Sequence, residues 1–187
     1  LLRAEGDGRD AGLLDFLHRV AADSDQIPDF RVIALRSYAF LANRDDLARI
    51  RAVITREPAG GVVRNAFEEN NPALDVAQEC HDDLQCYIGK LGDRDPTAVR
   101  KACYMIARYG RGNPAAITAL VGVIGHNNIP VRGDALYALD AAATAGSAEA
   151  VAEIDRIRQT EEGRSSWNQI KDVAMAVRAR LAARTGG

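Results

Sequence analysis

A helical hairpin occurs twice in direct succession near the middle of this chain. Each copy carries an apolar stripe that only a packed neighbour can bury. In the first, Leu84, Ile88 and Leu91 share one helical face. The turn Gly92-Asp93-Arg94-Asp95-Pro96 then leads to a run in which Val99, Cys103 and Ile106 share a face, with Gly110 as the stop. Asp95 before Pro96 is the arrangement of an N-cap followed by proline in the first turn. In the second copy, residues 115–124 form the first helix and Gly125-His126-Asn127-Asn128 the turn. Pro130-Val131-Arg132 opens the second helix, which leads into an alanine run ending at Gly146.

A hydrophobic-basic pair opens each second helix, and the same pair recurs along the chain. It stands at Phe30-Arg31, Val63-Arg64, Val99-Arg100, Val131-Arg132 and Ile170-Lys171, at intervals of roughly 32 to 39 residues, the range of two-helix repeats. Four positions after each hydrophobic member come Ala34, Phe67, Cys103, Ala135 and Ala174, small in most cases, as close helix contacts require. Composition agrees. With 47% hydrophobic residues but only 5% aromatic, the chain suits close-packed helices rather than a β-sandwich. That much apolar material excludes disorder, and a net charge of −2 removes the electrostatic case for nucleic acid or an anionic membrane.

The segment from Leu91 through Asp95-Pro96, Val99-Arg100 and Ala102 to Tyr109-Gly110 resembles the HEAT repeat: an apolar helix, an Asp-Pro turn, then Val-Arg-x-x-Ala. Residues 120–139 match again, so the resemblance is strong over 82–145 and looser elsewhere. It implies an all-α fold, a right-handed α-α superhelix of about five HEAT-like helical hairpins. Residues 1–187 then form a single repeat domain, with 1–10 and 185–187 as disordered tails. The first pair begins near 13–22. A shortened helix and a bend are expected over 59–71, and a long connector over 160–166. Terminal repeats depart from the pattern because they lack a neighbour on one side.

The basic residues Arg31, Arg64, Arg100, Arg132 and Lys171 read first as a structural ladder, with Asp29, Asp93 and Asp95 as partners. The sharper alternative is a row that binds phosphate or an acidic protein. Cys80 and Cys86 are too far apart for a disulfide if one helix carries both. If Asp82 or Asp83 caps a helix, Cys80 sits on an incoming loop and can fold back onto Cys86. A disulfide, two free thiols and a metal site with His81 all remain open, although no second ligand cluster completes a tetrahedral site. Cys103 reads as an inert core thiol. His18, His81 and His126 have no catalytic companions in sequence. The acidic pairs Glu68-Glu69, Asp82-Asp83 and Glu161-Glu162 read as helix-edge charges. Trp167 reads as a cap packed on the last repeat. Phe30 and Phe67 are expected inward, Tyr104 and Tyr137 outward.

Solenoids of the HEAT type present their second helices along a groove. That places Lys101, Tyr104, Arg108, Tyr137 and Asp140 on the candidate protein-binding face, with packing against neighbouring helices as the competing reading. The expected function is therefore a non-catalytic scaffold that binds another protein or another domain of its own chain, without a cofactor. Enzymes on HEAT-like scaffolds (bilin-attaching lyases, alkyl-base DNA glycosylases) are the alternative, together with a structural spacer in a larger protein. Sparse rings and the net charge speak against the glycosylase. No stretch is apolar over the length a membrane span needs. The chain opens at Leu1 rather than Met, which leaves a lost leader or anchor open. A Cys80–Cys86 bridge points to a periplasmic or secreted location, and free thiols to the cytoplasm.

Overall fold

A computed structural model describes residues 7–185, with side chains from 12 onward. Among the described residues the chain is helical throughout, with eleven α-helices and one short 3-10 helix. They form two compact units that divide between Asp82 and Asp83.

In the first unit, α1 (Asp7–Ala22) packs on α2 (Pro28–Leu41). The 3-10 turn Arg44–Asp46 then leads into α3 (Leu47–Ile54), α4 (Val62–Glu69) and α5 (Asn71–Cys80). The core gathers Leu14, Leu17, Leu35, Tyr38, Ile50 and Leu74, with Leu13, Val20 and Phe67 packed against its edge. The helix shortened by its sequence is α4. It stops because Asn70, Asn71 and Pro72 follow: Asn70 is buried and its Nδ2 donates to the Ala66 carbonyl at 2.6 Å, while Pro72 opens α5. The helix that Val63-Arg64 opens is thus cut short, and α5 follows as a separate helix.

The second unit contains α6 (Leu84–Lys90), α7 (Pro96–Tyr109), α8 (Pro114–Val121), α9 (Ile129–Ala142), α10 (Ala148–Glu161) and α11 (Ser165–Thr185). Caps explain its helix starts. Asp83, Asp95, Asn113, Asn128 and Ser147 each accept a backbone N–H of the first turn. Proline occupies the first turn of α7, α8 and α9, where its missing N–H has no helical partner to lose.

Within each unit the packing runs from neighbour to neighbour. In the first, α1 meets α3 and α2 meets α4; in the second, α6 meets α8, α8 meets α10, α7 meets α9 and α9 meets α11. The small residues Ala34, Cys103, Ala135 and Ala174 are all buried.

Four local expectations need correction. Helix α1 begins at Asp7, inside the segment read as a tail; the rest of 1–10, and 186–187, lie outside the described residues. The connector after α10 is short, because the helix runs on to Glu161 and α11 starts at Ser165. Cys80 is the last residue of α5 and not part of a loop. Phe30 is 54% exposed, so it does not point inward; Arg31 and Ala34 occupy the buried side of α2 instead.

Candidate functional site

The basic residues of the openers behave differently from one another, and burial sorts them. Arg31 and Arg132 are both buried and make the same bonds in separate units. Arg31 Nε donates to the Ala21 carbonyl at 3.0 Å, and Arg132 Nε to the Ile124 carbonyl at 3.1 Å. Each then reaches a glutamate at or just beyond the end of the following first helix: Arg31 to Glu57, three residues past α3, and Arg132 Nη1 to Glu161 Oε2, the last residue of α10, at 2.8 Å. The guanidinium fork thus ties the end of its own first helix to the end of the next. Burial removes both from any solvent ligand.

Arg100 does something else. Its Nε donates to Asp134 Oδ2 at 2.6 Å, one repeat along on α9. Arg64 bonds within its own helix to Glu68 at 3.2 Å and reaches the Glu57 carbonyl ahead of α4 with Nη1 at 3.5 Å, but among the described residues makes no carboxylate bond to another helix; Lys171 is exposed. The partners foreseen for this row do other work. Asp95 caps α7, and Asp93 accepts the Asp95 N–H at 2.9 Å. Asp29 lies in the first turn of α2, exposed.

The expected binding face falls on α7 and α9. Lys101 is fully buried, so it does not project to solvent as the register suggested. Tyr104, Arg108 and Tyr137 are half-buried. Asp140 is an internal anchor rather than an open contact. Its Oδ2 accepts from Arg180 Nε at 2.9 Å, and Arg184 Nη2 stands 3.1 Å from Oδ1 as a charge contact rather than an aligned hydrogen bond. Arg184 Nη1 also donates to the Asp140 and Ala143 carbonyls, at 2.8 and 3.2 Å. These bonds fasten the last turns of α11 to α9.

What remains together is Tyr104 and Tyr137 around the Arg100–Asp134 pair. Burial raises the Tyr104 hydroxyl pKa, the Asp134 charge adds to it, and Arg100 opposes both. Burial likewise lifts the Asp134 carboxyl above its ordinary value against the pull of Arg100. Nearby, the Arg108 guanidinium lies 5.3 Å from the Tyr109 ring centroid, and Tyr109 stacks on buried Tyr87 at 6.4 Å. Chemically this patch offers phenol hydroxyls and a guanidinium, the groups that protein interfaces favour. Its one thiol is not poised to react. Burial pushes the Cys103 thiol far up and keeps it protonated.

Cys80 and Cys86 are joined as a disulfide, which closes across the turn at His81, where φ is +49°. Among the described residues no group of three or more His, Cys, Asp or Glu side chains is arranged to hold a metal ion. Trp167 is buried at the start of α11. No helix of the described residues is long and apolar enough to cross a membrane.

Sequence reasoning missed the acceptors Glu57, Asp134 and Glu161, and the Asp155–Arg178 pair with bonds of 2.6 and 2.7 Å between α10 and α11. Charge pattern alone carries no signal for them, because the partners lie 23 to 34 positions apart. Comparison of the chain with family models, curated proteins and solved structures gives no match.

Proposed function

We propose that this chain is a non-catalytic helical-repeat scaffold of the HEAT type, its hairpins stacked as a right-handed superhelix, that binds another protein or another domain of its own chain. The supporting observation is the equivalence of Arg31 and Arg132. Two arginines at the same repeat position make the same carbonyl and glutamate bonds, each uniting one hairpin with the next. Residues spent on stacking one hairpin on another serve a surface-building role.

The binding surface is centred on Tyr104, Tyr137 and Arg108; Lys101 and Asp140 contribute from within, as packing and as an anchor. Aromatic hydroxyls beside a guanidinium suit a polar, partly acidic protein surface. The test is affinity capture from a native extract with the wild-type chain and with Tyr104→Ala/Tyr137→Ala. A partner retained by the wild type and lost by the folded variant supports the reading. An identical captured set from both would remove this face from it. The disulfide supports an oxidising, extracytoplasmic location. Alkylation of rapidly quenched cells followed by mass spectrometry checks this: both thiols should be protected until a reductant is added.

A further inference from the structure

The first unit leaves one flank of its opening hairpin apolar. Asp15 points toward α3, where its carboxylate meets Arg49 at 2.7 Å. Phe16, one residue on, is turned about 100° from it. It is 53% exposed and forms a stripe with the partly buried Leu13 and Val20, at helical spacing along the flank away from α3. On α2, Arg36 reaches α4 through Glu69 at 2.9 Å. Ile27 and Phe30 lie on the side of α2 away from Arg36, with Ile33 between, and all three are more than half exposed. Four large side chains at about half exposure uncover roughly 400 Å² of apolar surface, the size at which such patches mark interaction sites.

A second observation lies on the same flank. Gly12 sits inside α1, one turn before Phe16, and a Cβ added there would meet nothing within 4 Å. A glycine inside a helix destabilises it relative to alanine, and among the described residues no contact requires one here. On a helix surface, a missing side chain beside a protruding ring is a hole beside a knob.

The choice of occupant follows from self-complementarity and charge. The last helix, α11, shows Asn168, Gln169, Lys171 and Asp172 to solvent; Val173 is its one large exposed hydrophobic, and the other exposed apolar positions (Ala176, Ala179, Ala183) carry only a methyl, so it offers the α1 flank no ring to seat over Gly12. A second copy of the same flank does match it: Phe16 supplies the knob and Gly12 the hole. The α1–α2 turn and the start of α2 are acidic, with Asp23, Asp25 and Asp29 all exposed. Parallel docking would press these carboxylates against their duplicates, whereas antiparallel docking sets them at opposite ends.

We propose that two copies of the chain dock through this flank as a closed twofold dimer. The α1 helices run antiparallel, and Phe16 of each seats over Gly12 of the partner subunit. The inference stands apart from the partner-binding face on α7 and α9. Sedimentation velocity of the full chain from low to high micromolar concentration tests it. The expected species is a dimer of about twice 20.2 kDa that does not grow further. Phe16→Glu/Phe30→Glu should abolish the dimer while the helical circular dichroism is kept. Gly12→Leu separates docking from folding, because it fills the hole and raises helix propensity. It should weaken dimerisation at least tenfold while leaving the melting temperature of the monomer unchanged or higher. Val173→Glu should leave the dimer intact. A wild-type chain that stays monomeric throughout, that grows into open polymers, or whose dimer survives Gly12→Leu overturns the proposal.

Discussion

At the scale of single residues, the decisive distinction is between arginines that are buried with a partner and arginines that share water with one. Arg132 and Glu161 have side chains only 3% and 20% exposed, whereas Arg64 and Glu68 are 37% and 56% exposed. Arg132→Ala leaves Glu161 and a backbone carbonyl without their donor and should cost about 3 kcal/mol. Arg64→Ala should cost under about 1 kcal/mol. Urea denaturation of both variants measures the contrast; equal losses would argue against the ladder. The same partners set the acid limb of stability. Burial tends to raise the Glu161 carboxyl, but bonding and charge from Arg132, with Ser166, hold it below its ordinary 4.5. The Arg178 hydrogen bonds hold Asp155 below 3.8. A carboxyl depressed in the folded state contributes stability that is complete above its ordinary value and is lost as pH falls through the lowered one. Glu161→Gln should therefore flatten the decline of melting temperature below about pH 4.5, with the chain already less stable at neutral pH.

At the scale of elements, most helix starts were legible because capping is local. An Asx residue followed by proline within two positions, as at Asp95 and Asn128, provides both an acceptor for first-turn N–H groups and a fixed φ. Asn128→Ala should cost about 1 kcal/mol, the usual loss of a cap, and show as a lowered melting temperature. Gly146 is the element-scale constraint that sequence disguised as the end of an alanine run. Its φ is +79°, and an added Cβ would lie 2.5 Å from the Leu181 carbonyl and 2.6 Å from the Thr185 methyl on α11. Gly146→Ala should destabilise by about 2 kcal/mol or more, beyond the loss at Asn128, because both backbone conformation and space forbid the side chain. Helix α4 shows the limit of the repeat pattern: Val63-Arg64 opens it in register, yet the Asn70-Asn71-Pro72 sequence ends it after two turns.

At the scale of the whole molecule, the chain forms two compact units with a disulfide beside their boundary. Cross-linking of the unfolded chain over so short a loop stabilises by about 2 kcal/mol in the chain-entropy model. Adding reductant to the wild type should lower its melting temperature by several degrees, and Cys80→Ser/Cys86→Ser should match the reduced wild type and not respond. A variant that still shifts with reductant would deny the bridge its role. The pairing was legible as one of three alternatives, beside free thiols and a metal site, but the sequence did not choose among them. It depends on Cys80 closing α5 and on the backbone reversing at His81, which is a tertiary outcome of two helix ends.

The sequence by itself determined the helical pairs, their starts and their buried small residues, because periodicity, caps and proline act within a few residues. Only the tertiary structure decided that Arg31 and Arg132 are buried and Lys171 is not, that Lys101 lies inside, and that Phe30 faces solvent. It also decided that Asp140 holds α11. Those outcomes turn on which neighbouring helix covers each side of a stripe. A heptad-like pattern marks a face as apolar or polar but does not record which distant residue will meet it.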